Sequence, residues 1–215
     1  MRIDIFSDVI CPWCFIGKRR LARALAAESD VAVSRRWRAF MLNPDMPAEG
    51  MDRQTYLALK FGGPGHARRI YDNVLQAAEA EGLVLHLDRI KRTPSTVKAH
   101  RLIRWASEAG DADPLVEALF RGYFQEGRNI GDPGELAALA GEAGLDEAAA
   151  RTMLESDAGE AEVAAEDRSA RRIGINGVPC FIFDGQYAVS GAQEPEVFAP
   201  LFAAARSGSL SPTAA

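Results

Sequence analysis

Two short alternating segments, far apart in the chain, frame a long stretch with a different pattern. Residues 2–6 alternate polar and apolar positions, with Ile3 and Ile5 on one face, which is typical of a half-buried strand. Residues 15–27 place apolar side chains at a spacing of three to four, which predicts a helix. Residues 31–40 are a second strand candidate. A helix of this length between two strands predicts a right-handed crossover and a parallel pair.

From about residue 51 to residue 173, the alternation gives way to alanine-rich, charge-studded segments separated by glycine-containing breaks. No fixed-period repeat stands out. Asp113-Pro114 and Asp132-Pro133 each combine a capping side chain with a proline suited to the first turn of a helix. Helices are predicted over residues 52–60, 67–81, 95–109, 113–125, 133–143, 146–155 and 159–173.

Strand character returns at residues 180–183 and 187–190, on either side of Asp184-Gly185, which is a strong hairpin signal. Residues 194–205 predict a closing helix. The chain therefore predicts an α/β fold interrupted by helices; independent domains are disfavoured because neither strand set alone would form a stable sheet. The predicted organisation is a discontinuous domain of residues 1–45 and 174–206, a helical insertion domain of residues 46–173, and a flexible tail of residues 207–215.

Composition narrows the class of protein. The chain has 215 residues, of which 47% are hydrophobic and 26% charged, so it is globular rather than disordered. The net charge of 25 − 30 = −5 gives no support for nucleic-acid binding. Asp4 and Asp8 interrupt any signal-peptide pattern, and no apolar run is long enough for a membrane span. We therefore expect a cytoplasmic protein, although a secreted form without its leader would have a similar sequence.

Three cysteines are too few for a disulfide-built scaffold, so any cysteine chemistry must be local. Cys11-Pro12-Trp13-Cys14 lies where the first strand leads into the first helix. The N-terminus of a helix favours a thiolate, and two cysteines three positions apart can close a disulfide within one turn. We predict Cys11 as the nucleophile and Cys14, further inside the helix and more buried, as the resolving thiol. A nearby Asp8 would oppose ionisation of Cys11.

Two other interpretations of the cysteine pair stay open. Both residues could be ordinary buried side chains, or they could form half of a zinc site. Zinc usually takes four ligands. The remaining candidates, Cys180, His66, His86 and His100, have no ligand spacing among them, so no metal site is predicted.

A loop of residues 174–179 precedes the third predicted strand. Val178-Pro179 places a proline at the entrance of a strand in a glycine-flanked loop, which makes it a candidate cis bond; a purely structural turn is the alternative. With the cysteine pair, this order of elements looks like a thioredoxin fold. Residues 7–17, SDVICPWCFIG, closely resemble the FrnE-like branch of the DsbA family, which is related to 2-hydroxychromene-2-carboxylate isomerases and kappa-class glutathione transferases. The resemblance covers residues 2–206, with further matches at Leu42-Asn43-Pro44, Ala99-His100-Arg101-Leu102 and Ser190-Gly191-Ala192-Gln193.

The resemblance implies a thiol–disulfide oxidoreductase acting on a disulfide-containing protein or a small thiol or disulfide. It implies no tightly bound cofactor, with glutathione as a candidate co-substrate. Pro179 would face the cysteine pair, the Val178 backbone would bind an extended substrate by strand addition, and Pro12 and Trp13 would contact that substrate. The alternatives are a glutathione-dependent isomerase or transferase and a peptide-binding chaperone module. The oligomeric state is open, with a homodimer among the alternatives.

Two further residues are auxiliary candidates. Cys180 directly follows the proline; a small buried hydrophobe is the favoured interpretation, and a third redox thiol is the alternative. His100 lies on a predicted helix, where an interior histidine paired locally is favoured over a wall of the substrate groove, which the resemblance alone suggests.

Overall fold

The order of strands and helices follows from a computed structural model. It describes residues 1–28, 32–62 and 64–206, except for the side chains of residues 64, 66 and 67. In chain order the elements are β1 (Arg2–Ser7), α1 (Pro12–Ala26), β2 (Ser34–Ala39), β3 (Met51–Asp52), α2 (Arg53–Phe61), α3 (Pro64–Ala80), β4 (Arg92–Thr93), α4 (Val97–Ala109), α5 (Asp113–Arg121), α6 (Pro133–Glu142), α7 (Glu147–Glu155), α8 (Glu160–Arg172), β5 (Cys180–Phe183), β6 (Tyr187–Ser190) and α9 (Ala199–Arg206).

Four of these strands form one mixed sheet in the order β2–β1–β5–β6. β1 pairs in parallel with β2 and antiparallel with β5, and the register places Ile5 between Trp37 and Phe181. The predicted parallel pair joined by a helix is confirmed. Because β1 and β2 run in the same direction, their carboxyl ends meet at one edge of the sheet, where α1 begins.

The two faces of the sheet carry separate apolar clusters, because successive side chains of a strand point to opposite faces. In β5, Phe181 and Phe183 belong to the larger cluster, which we call the main core, whereas Cys180 belongs to the smaller one. This second cluster, called the α8-side cluster below, consists of Phe6, Phe40, Ala170, Ile175 and Cys180.

The helical segment between β2 and β5 packs onto α1. The Phe15 ring of α1 stacks on Phe120 at 5.0 Å and on Phe124 at 6.3 Å between centroids, and all three rings are buried. The main core therefore runs from the sheet through α1 into the helical segment without interruption. The fold is the predicted thioredoxin-like α/β fold with helices inserted between its halves. The domain limits at residues 45/46 and 173/174 stay a prediction.

The β5–β6 hairpin matches its predicted strands residue for residue. Asp184 (φ 49°) and Gly185 (φ 76°) both adopt the left-handed conformation that the Asp-Gly pair favours in tight turns. The N–H of Arg2 donates to the Asp184 carboxylate at 2.6 Å, which ties the turn to the start of β1.

Three local expectations need correction. Asp132 accepts from the N–H of Glu135 as a cap should, but Asp113 is itself the first residue of α5, and its carboxylate accepts from Lys18 Nζ at 2.9 Å. The helix predicted over residues 113–125 ends at Arg121 and continues as a π turn.

The predicted closing helix over residues 194–205 is divided into a 3₁₀ turn and α9, because Pro200 has no N–H to donate to the preceding turn. The short pair β3–β4 was not predicted, and the predicted tail at residues 207–215 lies outside the described residues.

Within the described ranges, no helix has both the length and the apolar character needed to cross a membrane.

Candidate active site

Cys11 lies at the junction between the end of β1 and the start of α1. Its N–H donates to the carbonyl of Asp8 at 3.0 Å, which turns the chain into the helix, and its carbonyl accepts from the N–H of Cys14 at 3.0 Å. Pro12 takes a first-turn position, where a missing N–H costs nothing. No side chain of the described residues caps this helix, so the positive end of its dipole acts on Cys11.

Cys14 is the more protected of the two thiols, as predicted, with 1% of its surface exposed against 5% for Cys11. Both cysteines are free. Burial raises the pKa of the Cys14 thiol well above its usual value, and the adjacent Cys11 sulfur raises it further. The Ser7 side chain and the Asp8 backbone act in the opposite direction. Cys14 is therefore a thiol held protonated beside its partner, which suits the second of two steps better than the first.

The loop before β5 forms the other wall of the site. The Val178–Pro179 peptide bond is cis, in agreement with the sequence. The Cys11 Sγ donates to the carbonyl of Val178 at 3.6 Å. A Cβ added to Gly17, on the first turns of α1, would lie 2.8 Å from Pro179 Cγ, so the glycine allows the helix to approach the proline. The chain thus brings its two distant motifs into contact.

An open groove of about 340 Å³ lies between the loop that follows β2 and helix α2. Its lining is mostly apolar and includes Tyr56, Leu59 and the loop residues 42–47. Burial raises the pKa of Tyr56, while its hydrogen bond with Asn43 and the charge of Arg53 act in the opposite direction. Leu59 is 72% exposed, so an apolar side chain of a bound molecule could cover it.

Asp8, three residues before Cys11, faces His100 in the interior of the protein. Asp8 has none of its surface exposed, and its Oδ2 accepts from the N–H of Leu42 at 2.7 Å. Its Oδ1 faces His100 Nε2 at 3.4 Å, and the histidine is 4% exposed. His100 is therefore an interior residue with a local acidic partner, as the favoured interpretation had it, and it does not line the groove beside Tyr56.

Cys180 directly follows Pro179 in sequence but lies in a different apolar cluster from the cysteine pair. Its side chain packs in the α8-side cluster against Phe6 and Phe40, whereas Cys11 and Cys14 belong to the main core. Burial raises the pKa of the Cys180 thiol. The structure does not bring this sulfur to the pair.

The predicted site residues that do converge are Cys11, Cys14, Val178 and Pro179, with Pro12 and Trp13 half-buried beside them. Sequence reasoning missed three residues: Gly17, Tyr56 and Ser7. Ser7 and Gly17 had a signal, since they begin and end the run that resembles the FrnE-like branch. Tyr56 had none that composition or spacing could supply. Across the described part of the chain, no group of three or more His, Cys, Asp or Glu side chains is arranged to hold a metal.

These features define a protein of the thioredoxin-fold class with two thiols at the start of a helix. The chain belongs to the DSBA-like thioredoxin domain family, whose sequence pattern matches residues 2–203. It is 29% identical to the protein YwbO of Bacillus subtilis over 199 residues, which are 92% of this chain and 94% of that protein.

Solved structures share the same fold. A probable DsbA oxidoreductase from Streptomyces coelicolor, SCO1869, is 37% identical, with a TM-score of 0.87 over 100% of this chain and 93% of that one. A 2-hydroxychromene-2-carboxylate isomerase is 16% identical, with a TM-score of 0.68 over 99% of this chain and 100% of that one. The cytosolic disulfide reductase DsbM of Pseudomonas aeruginosa, in a structure with GSH, is 20% identical, with a TM-score of 0.63 over 98% of this chain and 99% of that one.

Proposed function

We propose that this protein is a thiol–disulfide oxidoreductase in which Cys11 is the nucleophile and Cys14 the resolving thiol. The observation that carries the proposal is the convergence of two free thiols at an uncapped helix start with the Val178 carbonyl 3.6 Å from the Cys11 sulfur. An oxidoreductase needs both sulfurs, because one forms a mixed disulfide and the other releases it.

The exchange takes two displacements. In the first, the Cys11 thiolate attacks one sulfur of a substrate disulfide; the substrate S–S bond breaks, and the electron pair leaves on the second substrate sulfur, which takes up a proton. In the second, Cys14 loses its proton and attacks the Cys11 sulfur, which expels the remaining substrate thiolate. The substrate disulfide is reduced by two electrons, and the pair is oxidised to a Cys11–Cys14 disulfide. The same steps in reverse oxidise a substrate dithiol.

The loop before β5 provides a place for the substrate backbone. Val178 is half-buried and its carbonyl already accepts from the Cys11 thiol, so an extended peptide could bond to the same backbone during attack. The groove beside Tyr56 would receive an adjoining apolar side chain, and the half-buried Pro12 and Trp13 would contact the substrate. The substrate class is a disulfide in a protein or in a small thiol compound.

Glutathione is the co-substrate that we propose for resetting the pair, supported by the fold shared with DsbM, whose structure was solved with GSH. We propose a cytoplasmic location, where a reducing glutathione pool would keep the pair reduced and favour reductase or isomerase work over oxidation.

The decisive experiment compares wild type, Cys11→Ser and Cys14→Ser in the reduction of a model protein disulfide, with mass spectrometry of trapped species. Wild type should reduce the disulfide; Cys11→Ser should lose the activity; Cys14→Ser should accumulate a mixed disulfide on Cys11. A peptide-binding module would show little change in either variant, and that result would overturn the proposal.

A glutathione-dependent isomerase is the second candidate, because a 2-hydroxychromene-2-carboxylate isomerase has the same fold. Such chemistry needs one activated group or bound glutathione and no resolving thiol. Full isomerase activity in Cys14→Ser would therefore favour this candidate, whereas trapping in that variant favours the oxidoreductase.

A further inference from the structure

A cavity of about 290 Å³ lies between β2 and α4; we call it the β2–α4 cavity. Its volume is close to the lower end of the range found for small-molecule pockets. The described residues that line it include neither Cys11 nor Cys14, and none of them belongs to the groove beside Tyr56. The proposed function therefore leaves this cavity without a role.

The cavity lies along β2, which is an edge strand of the sheet. The backbone N–H groups of Ser34 and Phe40 donate at 3.0 and 3.2 Å to carbonyls of residues 1–7. Because successive N–H groups of a strand alternate in direction, those of the odd-numbered residues in between point away from β1. The N–H of Ala39 is one of these, and it donates to the Glu166 carboxylate of α8 at 3.0 Å.

Glu166 shows which kind of group this edge binds. Its Oε2 accepts from the Ala39 N–H, while its Oε1 lies 3.2 Å from the Arg38 guanidinium, so one carboxylate joins a backbone donor to a cationic side chain. The Trp37 N–H lies two positions earlier on the same side of the strand. Among the described residues, no carboxylate accepts from it. A ligand carboxylate at Trp37 would repeat the arrangement that Glu166 makes at Ala39.

Buried donors without a partner are concentrated in the same lining. Trp37 Nε1, Arg38 Nε and Ser7 Oγ are buried and make no hydrogen bond to any described residue. Trp37 is 9% exposed and Ser7 is 5% exposed. The indole and guanidinium N–H groups can only donate. Because buried polar groups are nearly always hydrogen-bonded, a ligand that fits this lining must offer acceptor oxygens.

The charges of the lining favour an anion, because its arginines outnumber its carboxylates. The charged residues are Arg35, Arg36, Arg38 and Arg104, with Glu108 and Glu166. Arg104 lies 3.5 Å from Glu108 on the same helix, and both side chains are exposed enough for this pair to be weak. Ile103 and Val116 add an apolar wall, which inorganic anions do not need.

We propose that the β2–α4 cavity binds a small organic carboxylate with an apolar body, at a site separate from the two thiols. The carboxylate accepts from the Trp37 N–H and from the guanidinium groups of Arg38 and Arg104. The apolar body lies against Ile103 and Val116. Guanidinium groups match the planar geometry of a carboxylate, and the hydrogen bonds they donate to it are charge-assisted.

The first test uses Trp37 as a reporter inside the site. The chain has three tryptophans, so in Trp13→Phe, Trp105→Phe protein the emission comes from Trp37 alone. Titration with hexanoate should change this emission in a saturable way, whereas 1-hexanol, which lacks the charge, and inorganic phosphate, which lacks the apolar body, should not. Calorimetry with wild type and hexanoate gives the affinity without these substitutions. No saturable binding of hexanoate up to about 10 mM overturns the proposal, and so does equal binding of the alcohol or of phosphate.

The second test changes the two members of one ion pair. Arg104→Gln should weaken hexanoate binding about tenfold, because a charge-assisted hydrogen bond is lost. Glu108→Gln should strengthen it severalfold, because a carboxylate that competes for Arg104 is removed. General destabilisation would move both affinities in the same direction. Arg172→Gln makes the same change of charge at an exposed position of α8 outside the cavity lining, and it should leave the affinity unchanged.

The outcomes separate this proposal from the proposed function. Folded Arg104→Gln that binds hexanoate as tightly as Arg172→Gln overturns the carboxylate site. Should the double tryptophan variant fail to fold, calorimetry on wild type and Arg104→Gln decides. Binding is measured without a disulfide substrate, so a protein that fails to reduce disulfides still tests the cavity, and absence of hexanoate binding leaves the oxidoreductase proposal intact.

Discussion

Cys11 and Cys180 are exposed to almost the same extent, 5% and 4%, yet their surroundings differ in every other respect. Cys11 lies at a helix start, with a carbonyl oxygen 3.6 Å from its sulfur and a second thiol beside it. Cys180 lies among apolar side chains, where burial is what raises the pKa of its thiol. Exposure therefore does not distinguish the proposed nucleophile from the third cysteine; the backbone and the neighbouring sulfur do.

The pleat of β5 separates the two regions. Pro179 contacts α1 at Gly17, and one residue later the Cys180 side chain points to the opposite face of the sheet. Because Cys180 directly follows Pro179, a third redox thiol was the alternative interpretation of this residue. Successive side chains of a strand point to opposite faces, so the Cys180 side chain is turned away from the site that Pro179 faces.

The largest expected effect is a difference in reactivity between these two thiols. In the folded, reduced protein we expect a small alkylating reagent to modify Cys11 about 100-fold or more faster than Cys180, because Cys180 is packed among apolar side chains that raise the pKa of its thiol, whereas Cys11 lies at a helix start. Competitive labelling followed by mass spectrometry measures the ratio. In denaturant the ratio should fall close to one, and equal labelling in the folded state would remove the distinction between the two regions.

The second-largest effect is expected when the contact between α1 and the loop before β5 is disturbed by a substitution at Gly17. Gly17→Ala would place a Cβ 2.8 Å from Pro179 Cγ and 3.3 Å from Phe181 Cζ, so we expect a loss of about 1–3 kcal/mol in the free energy of unfolding. Displacement of Pro179 should also slow exchange at Cys11. Urea unfolding and disulfide reduction measure the two effects.

Gly65→Ala is the matched control for this helix substitution, since a Cβ there meets no atom of the described residues within 4 Å. It should be neutral or slightly stabilising. If Gly17→Ala behaves like Gly65→Ala in both assays, close approach of the helix to the proline does not maintain the site.

The parts of this arrangement that could be predicted are local. The Asp-Gly turn and the alternation on either side of it defined both strands of the hairpin, because turn chemistry and side-chain period act over a few residues. The cysteine pair at the start of α1 was predictable for the same reason. The Asp113 cap failed because capping depends on where the helix begins, and here Lys18, on another element, binds that carboxylate.

The contacts between distant elements could not be predicted. Asp8 meets His100 because α4 packs against β2, and Tyr56 lines a groove with residues 42–47 because α2 lies beside the loop after β2. One sequence contains no signal for either approach. The register between β1 and β5 decides to which face of the sheet the Cys180 side chain points, because it pairs Cys180 with Phe6 of the α8-side cluster.

A smaller effect distinguishes the buried thiols by the pH dependence of stability. Burial raises the pKa of Cys14 well above its usual value and raises that of Cys180 as well. The folded chain therefore holds protons that the unfolded chain releases above about pH 8.5, so the free energy of unfolding should fall as pH rises, by at most about 1.4 kcal/mol per pH unit for each thiol.

Chemical unfolding of the reduced protein between about pH 8 and pH 10, below the usual tyrosine range, measures this decline. Cys14→Ala should remove most of it and Cys180→Ala less. A decline that is unchanged in Cys14→Ala would mean that this thiol is not the protonated partner of the pair.

The smallest effect concerns the α8-side cluster itself. Cys180→Ala should cost about 1 kcal/mol of stability, because it leaves a small cavity beside Phe6 and Phe40, and it should leave disulfide exchange unchanged. Cys180→Ser should cost more than Cys180→Ala, because a hydroxyl buried among apolar groups needs a hydrogen bond that this cluster does not offer. Urea unfolding ranks the two variants, and the exchange assay tests both. If Cys180→Ala slows exchange at unchanged stability, the third thiol takes part in the chemistry after all, and the division between the two faces of the sheet does not hold.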